Sequence, residues 1–91
     1  MNRAWLHCHL LFPCALPVRV LACGPKRAHV QLVHRLRWNR QWYPAGSTRY
    51  VPTGALGSAP SPGYLVGVGR GHFVNPARAE AKEAVKKWSS K

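Results

Sequence analysis

Nine consecutive residues, Arg35-Leu36-Arg37-Trp38-Asn39-Arg40-Gln41-Trp42-Tyr43, interleave three guanidinium groups with three aromatic rings, and Arg49-Tyr50 follows. A guanidinium is a planar fork of donors that fits two phosphate oxygens at once. An aromatic ring offers a flat face on which an unpaired base can stack. Together these are the chemistry of contact with structured RNA. Arg35, Arg37, Arg40 and Arg49 are therefore expected on phosphates. Trp38, Trp42 and Tyr43 are expected on bases or packed into neighbouring proteins. The bland alternative makes the three rings a small core and the arginines its solvated face.

The charge balance supports a polyanionic partner. Every charged residue before Glu80 is a cation, and the formal net charge is +12 on 91 residues. Charge of a single sign repels itself and works against compaction. Nucleic acid supplies the missing negative charge most readily, and an anionic membrane surface is the second choice. Arginine rather than lysine dominates before Glu80, which suits bidentate phosphate contact better than solubility alone would.

Three other groups of residues are weaker candidates. Gly67-Val68-Gly69-Arg70-Gly71 lies between an expected strand and an expected helix, where backbone N–H groups can face a phosphate with Arg70 beside it. It has neither dinucleotide-binding nor Walker spacing, so a plain turn is the favoured reading. Cys8, Cys14 and Cys23, with His7 and His9 around the first, contain no CxxC pair and suggest no metal site. They read as small buried hydrophobes in a reducing compartment. The only carboxylate side chains, Glu80 and Glu83, share one short segment. No nucleophile, base and acid gather in a recognisable order, so neither catalysis nor a cofactor is expected.

The elements that must position these groups divide the chain into three parts. Residues 1–27 are apolar with sparse cations. The uncharged run Ala4–Val18 is shorter than the ~20 residues of a membrane-spanning helix. Pro13 and Pro17 interrupt it, so it reads as a targeting segment or a buried extension. Residues 28–74 form the basic-aromatic region. Alternation over 28–38, with Val30, Leu32, Leu36 and Trp38 on one parity, predicts a half-buried strand. Residues 39–63 hold four prolines and four glycines and read as a long loop; Tyr64–Val68 reads as a short strand. Residues 75–91 carry the clearest local signal. Asn75 is a good N-cap, Pro76 a favoured first helical residue, and the helix is expected to run to about Trp88. Ala77, Ala81, Ala84 and Trp88 make an apolar stripe for docking on a neighbouring protein, and Arg78, Lys82 and Lys86 a cationic ridge for a second RNA backbone.

The expected fold is thus a small, irregular α+β chain with one or two short strands, long extended segments and one C-terminal helix over about 76–88. Such a chain has little core of its own and would fold on a partner. The expected function is a structural, rRNA-contacting component of a ribonucleoprotein, acting by phosphate neutralisation and gap filling. In composition the chain is similar to small proteins of mitochondrial ribosomes, a likeness that carries no site residues with it but favours a mitochondrial location. The alternatives are an accessory subunit of a mitochondrial membrane complex, or a GC-rich reading frame without selected function, against which the ordered helix signal argues.

Overall fold

The computed structural model describes residues 2–9, 12–69 and 71–89. Among them are β1 (Asn2–His9), β2 (Pro13–Cys23), β3 (Arg27–Leu32), β4 (Leu36–Trp38), β5 (Gln41–Tyr43), β6 (Thr48–Pro52), β7 (Leu56–Gly57), β8 (Leu65–Gly69), β9 (His72–Val74) and α1 (Ala79–Ser89), with a 3-10 turn at Thr53–Ala55. The expected irregular α+β chain with one or two short strands is overturned. The protein is mostly antiparallel β-sheet with one C-terminal helix. Its Cα radius of gyration, 12.1 Å, is close to the ~12 Å of a compact chain of this length, so the long extended segments are absent too.

Seven strands form one sheet, in the order β6-β3-β2-β1-β7, with β8 beside β2 and β9 beside β8. Every pairing is antiparallel except β2 with β8. The apolar N-terminal segment supplies the two central strands, in register from Asn2↔Val20 to His9↔Pro13. Residues 14–18 of β2 are all buried, because both faces of the strand are covered there. A strand covered on both faces loses its polar-apolar alternation and reads as a continuous apolar run. Pro17 is tolerated in this central strand because β2 changes partner around it. β8 pairs with Cys14 and Ala15, and β3 begins to pair at Val18. Neither ladder needs an N–H from Pro17, so its missing donor costs little.

The remaining strands lie in the region expected to be loop. β6 is an edge strand, and Pro52 sits at its outer end, where proline is allowed. Pro44 and Gly46 form the turn before it, closed by bonds from Ser47 to Pro44 O and from the Gly46 N–H to Leu32 O at 2.8 Å. The prolines and glycines of 39–63 thus punctuate short strands instead of erasing them. The predicted strand over 28–38 is broken once: Ala28, Val30 and Leu32 point inward from β3, the chain turns at Val33–Arg35, and β4 resumes.

Two cores lie on opposite faces of the sheet. Leu6, Cys14, Leu16, Val18, Ala28, Val30, Leu32 and Val51 fill one, covered by Leu36 and partly by Tyr43, Phe12 and Phe73. Trp5, Ala15, Val66 and Val74 meet Ala81 of α1 in the other. Trp5 is 1% exposed, and removing a ring so buried costs about 3–5 kcal/mol. Cys8 and Cys14 face each other across β1 and β2 with their sulfurs 3.1 Å apart. The Cys8 thiol is held below its usual pKa by that hydrogen bond, with burial opposing and the charge of Arg49 assisting.

The helix begins three residues later than its sequence signals suggest. Asn75 Oδ1 accepts the Ala77 N–H at 2.8 Å and its carbonyl accepts the Arg78 N–H at 2.9 Å. Asn75 therefore closes an Asx turn, and the first helical bond runs from Lys82 N–H to Arg78 O. The C-terminal end is tied to the start of β1. Trp88 Nε1 donates to Ala4 O at 2.7 Å, and Trp5 Nε1 to Ser89 Oγ at 2.9 Å. Among the described residues no helix is long and apolar enough to cross a membrane.

Candidate nucleic-acid interface

The basic-aromatic stretch folds as a small hairpin, β4–β5, joined by Asn39 and Arg40, with the register Leu36↔Tyr43, Arg37↔Trp42 and Trp38↔Gln41. Both turn residues have positive φ, 54° and 62°, as a two-residue type I′ turn requires. Asparagine is at home in that conformation. Arginine is not: at the second position glycine is the usual residue, and a side chain there costs about 1–2 kcal/mol. The turn nonetheless presents Arg40, exposed, at its tip.

Period-two geometry sorts the other residues. Leu36 and Tyr43 turn toward the core, so Arg37 and Trp42 turn outward. Trp42 is 49% exposed. The guanidinium carbons of Arg35 and Arg37 lie 5.1 and 5.8 Å from its ring centroid. Beneath it is Gly71, where an added Cβ would stand 3.4 Å from the indole. That glycine also has a positive φ of 68°, so both the space and the backbone call for it. Arg49 sits over Tyr43 at 5.8 Å and is half-buried. Trp38 is half-buried and lines a shallow depression with Phe12, Phe73 and Arg40.

The structure thus brings Arg35, Arg37, Arg40 and Trp42 together, and sets Arg49 on Tyr43 beside them. The second set lies elsewhere. Arg78, just ahead of α1, and Lys82 and Lys86 on it are exposed, and α1 covers the opposite face of the sheet. Lys82 and Lys86 border a groove with Pro60, Pro62, Pro76 and Val85. Of the stripe proposed for docking on another protein, Ala81 is wholly buried in the protein's own core, and Ala84 and Trp88 pack against it, while Ala77 is exposed. The helix has found its docking partner within the chain. Arg70 lies outside the described residues.

Several pairings between residues are not legible in the sequence. Tyr50 is 68% exposed and stacks on His29 across β3 and β6, with centroids 4.5 Å apart and planes at 10°. Arg3 and Arg19 are directly paired across β1 and β2. With His34 and Lys87 they line a cleft of about 370 Å³ walled by Trp5, Pro17 and Trp88. The imidazole of His34 is pushed below its usual pKa, first by burial and then by the charge of Lys87. Sequence offers no signal for this cleft, because only strand register and helix docking bring residues 3, 19, 34 and 87 together.

No family model, no curated protein and no solved structure matches the chain.

Proposed function

We propose that this protein is a structural, RNA-contacting component of a ribonucleoprotein particle, and that the β4–β5 hairpin is its principal contact. One observation carries the reading: an outward-facing tryptophan, half exposed, with two arginine guanidiniums held within 6 Å of its ring. Two cations beside one ring repel each other, and a phosphate between or beside them removes that cost. The exposed part of the indole takes an unpaired base, a contact worth about 1–3 kcal/mol. Arg40 at the tip extends the cationic surface, and Arg49 over Tyr43 continues it toward β6. The ribosome, the mitochondrial one above all, is the particle that the composition favours.

The reading is tested by salt dependence and by fractionation. If about six of the 14 cations engage single-stranded phosphates, log K falls against log salt with a slope of about −4. Replacing Arg35, Arg37 and Arg40 together by Gln flattens the slope by about two. The tagged protein should sediment with a ribonucleoprotein peak in a sucrose gradient and leave it after RNase treatment. A salt slope near zero, or a triple variant that binds like the parent, removes the hairpin from any RNA site.

A further inference from the structure

The two central strands carry a pair of thiols outside the hairpin. Cys8 of β1 and Cys14 of β2 stand directly opposite each other, one step in from the last pair of the ladder, His9↔Pro13. Residues so placed in an antiparallel pair have Cα atoms about 4.5–5.5 Å apart. Disulfides span about 4.4–6.8 Å between the same atoms. The two side chains also meet on one face, with their sulfurs 3.1 Å apart. A disulfide bond is about 2.05 Å long, so closing it asks the sulfurs to approach by about 1 Å, within reach of side-chain rotation. No change of strand register is required.

The two thiols differ in the way that exchange chemistry needs. Cys14 is 0% exposed, so a bulky reagent does not reach it. Cys8 is half-buried, and His9 and Pro13 beside the pair are exposed at the end of the ladder. Reactive cysteines are partly exposed in electropositive surroundings, whereas buried structural ones are inert. Cys8 meets the first description. Every charged residue before Glu80 is a cation, and the charge of half-buried Arg49 acts on Cys8. The hydrogen bond with Cys14 and that charge both favour the Cys8 thiolate, while burial opposes it. Cys8 is thus placed to attack and Cys14 to resolve. Cys23 has neither role. It is exposed at the far end of β2, roughly 25–30 Å from Cys14 at ~3.3 Å per residue.

We infer that Cys8 and Cys14 are a redox-active dithiol that closes reversibly into an intrachain disulfide between β1 and β2, by exchange with a small-molecule disulfide. The Cys8 thiolate attacks one sulfur of that disulfide, forming a mixed disulfide and expelling a thiolate. Cys14 then gives up its proton and attacks the Cys8 sulfur, expelling the second small thiolate. The protons lost by Cys8 and Cys14 end on the two small thiols. Two protein thiols and one small disulfide thus become one protein disulfide and two small thiols. Two electrons pass from the protein sulfurs to the small disulfide, and an excess of small thiol drives the same steps backwards. The second attack is fast because Cys14 is already in place against the Cys8 sulfur. The bridge ties the two central strands together beside their turn and restricts the unfolded chain. This chemistry does not depend on any RNA contact.

The experiment is incubation of the native, reduced protein with oxidised glutathione, followed by acid quenching, alkylation of the remaining thiols and mass analysis of tryptic peptides. The peptide 4–19 holds Cys8 and Cys14 but not Cys23. From the parent it should appear unalkylated and lighter by two hydrogen atoms, in at least about tenfold excess over the Cys8–glutathione adduct. Excess reduced glutathione should restore both thiols. Cys14→Ala removes the resolving thiol and should accumulate the adduct on Cys8. Cys8→Ala should leave Cys14 unmodified while Cys23 still reacts. Replacing a wholly buried residue loosens the core, so the parent measurement decides on its own. The dithiol is overturned if, at a glutathione disulfide concentration that modifies Cys23, the parent keeps both Cys8 and Cys14 open to alkylation. It is equally overturned if the reaction stops at the Cys8 adduct, or if Cys23 bridges to either residue.

Discussion

Truncating Trp88 tests whether the C-terminal helix belongs to the fold or is a detachable arm. The Trp88 ring is half-buried against the cluster of Trp5, Val66 and Ala81. A wholly buried aromatic costs about 3–5 kcal/mol when cut to alanine, so about half of that, ~2 kcal/mol, is expected from packing. Its N–H donates to Ala4 O at 2.7 Å, and leaving that half-buried carbonyl without a partner costs about 1 kcal/mol. The contact of Arg3 with the ring, at 5.3 Å, adds roughly 0.5 kcal/mol. Trp88→Ala should therefore destabilise the protein by about 3–4 kcal/mol. A domain of this size holds roughly 5–14 kcal/mol in all, so the loss is a large share of the total. Urea unfolding followed by far-UV circular dichroism measures it as a midpoint shift of about 2–4 M for a slope near 1–1.5 kcal/mol/M. Trp88→Phe keeps the ring and loses the donor, and should cost about 1 kcal/mol. Lys87→Ala, exposed one residue away, should stay within about 0.5 kcal/mol of the parent. If Trp88→Ala unfolds within 0.5 kcal/mol of the parent, the helix does not dock as described and the paired bonds of Trp5 and Trp88 do not hold it.

Arg40→Gly should stabilise the isolated protein by about 0.5–1 kcal/mol, since glycine adopts the φ of 62° without strain and part of the gain is offset by its greater freedom in the unfolded chain; the same change should weaken RNA binding, and a variant that is no more stable than the parent refutes the strained-turn account. His34 gives a pH dependence of defined sign. Its folded pKa is depressed below the usual 6.5 by burial and by Lys87, so the unfolded chain takes up a proton more readily. Stability is then full above about pH 6.5 and declines as pH falls below it. The groups around it, Arg3, Arg19 and Lys87 in the cleft with Arg35 and His72 on its other side, are cations or neutral, and none reverses that sign. His34→Gln should flatten the thermal melting profile between pH 7 and pH 5; an equal decline in both proteins excludes His34 as the source.

The features legible without the fold are local. The alternation in 28–32 placed Ala28, Val30 and Leu32 inward, because period-two patterning needs only one buried face to be legible. Tyr64–Val68 marked β8 to within a residue, and the 3.6-residue stripe marked the helix and its far end. The cluster Arg35, Arg37, Arg40 and Trp42 was visible as a run because a two-residue hairpin keeps neighbours in sequence close in space. The rest depends on contacts between residues far apart in the chain. Residues 14–18 read as an apolar run because strand β2 is covered on both faces there, and only the sheet order reveals that. Pro17, which argues against a central strand in any sequence window, is accommodated by a change of partner that no local pattern encodes. The alanine stripe announced a docking face, but whether its partner was another protein or Trp5 and Val66 depended on residues far away in the chain. The cleft of Arg3, Arg19, His34 and Lys87 lies at the extreme of this dependence. Its members lie scattered from one end of the chain to the other, and their charges meet only because strand pairing and two tryptophan hydrogen bonds place β1, β2 and α1 side by side.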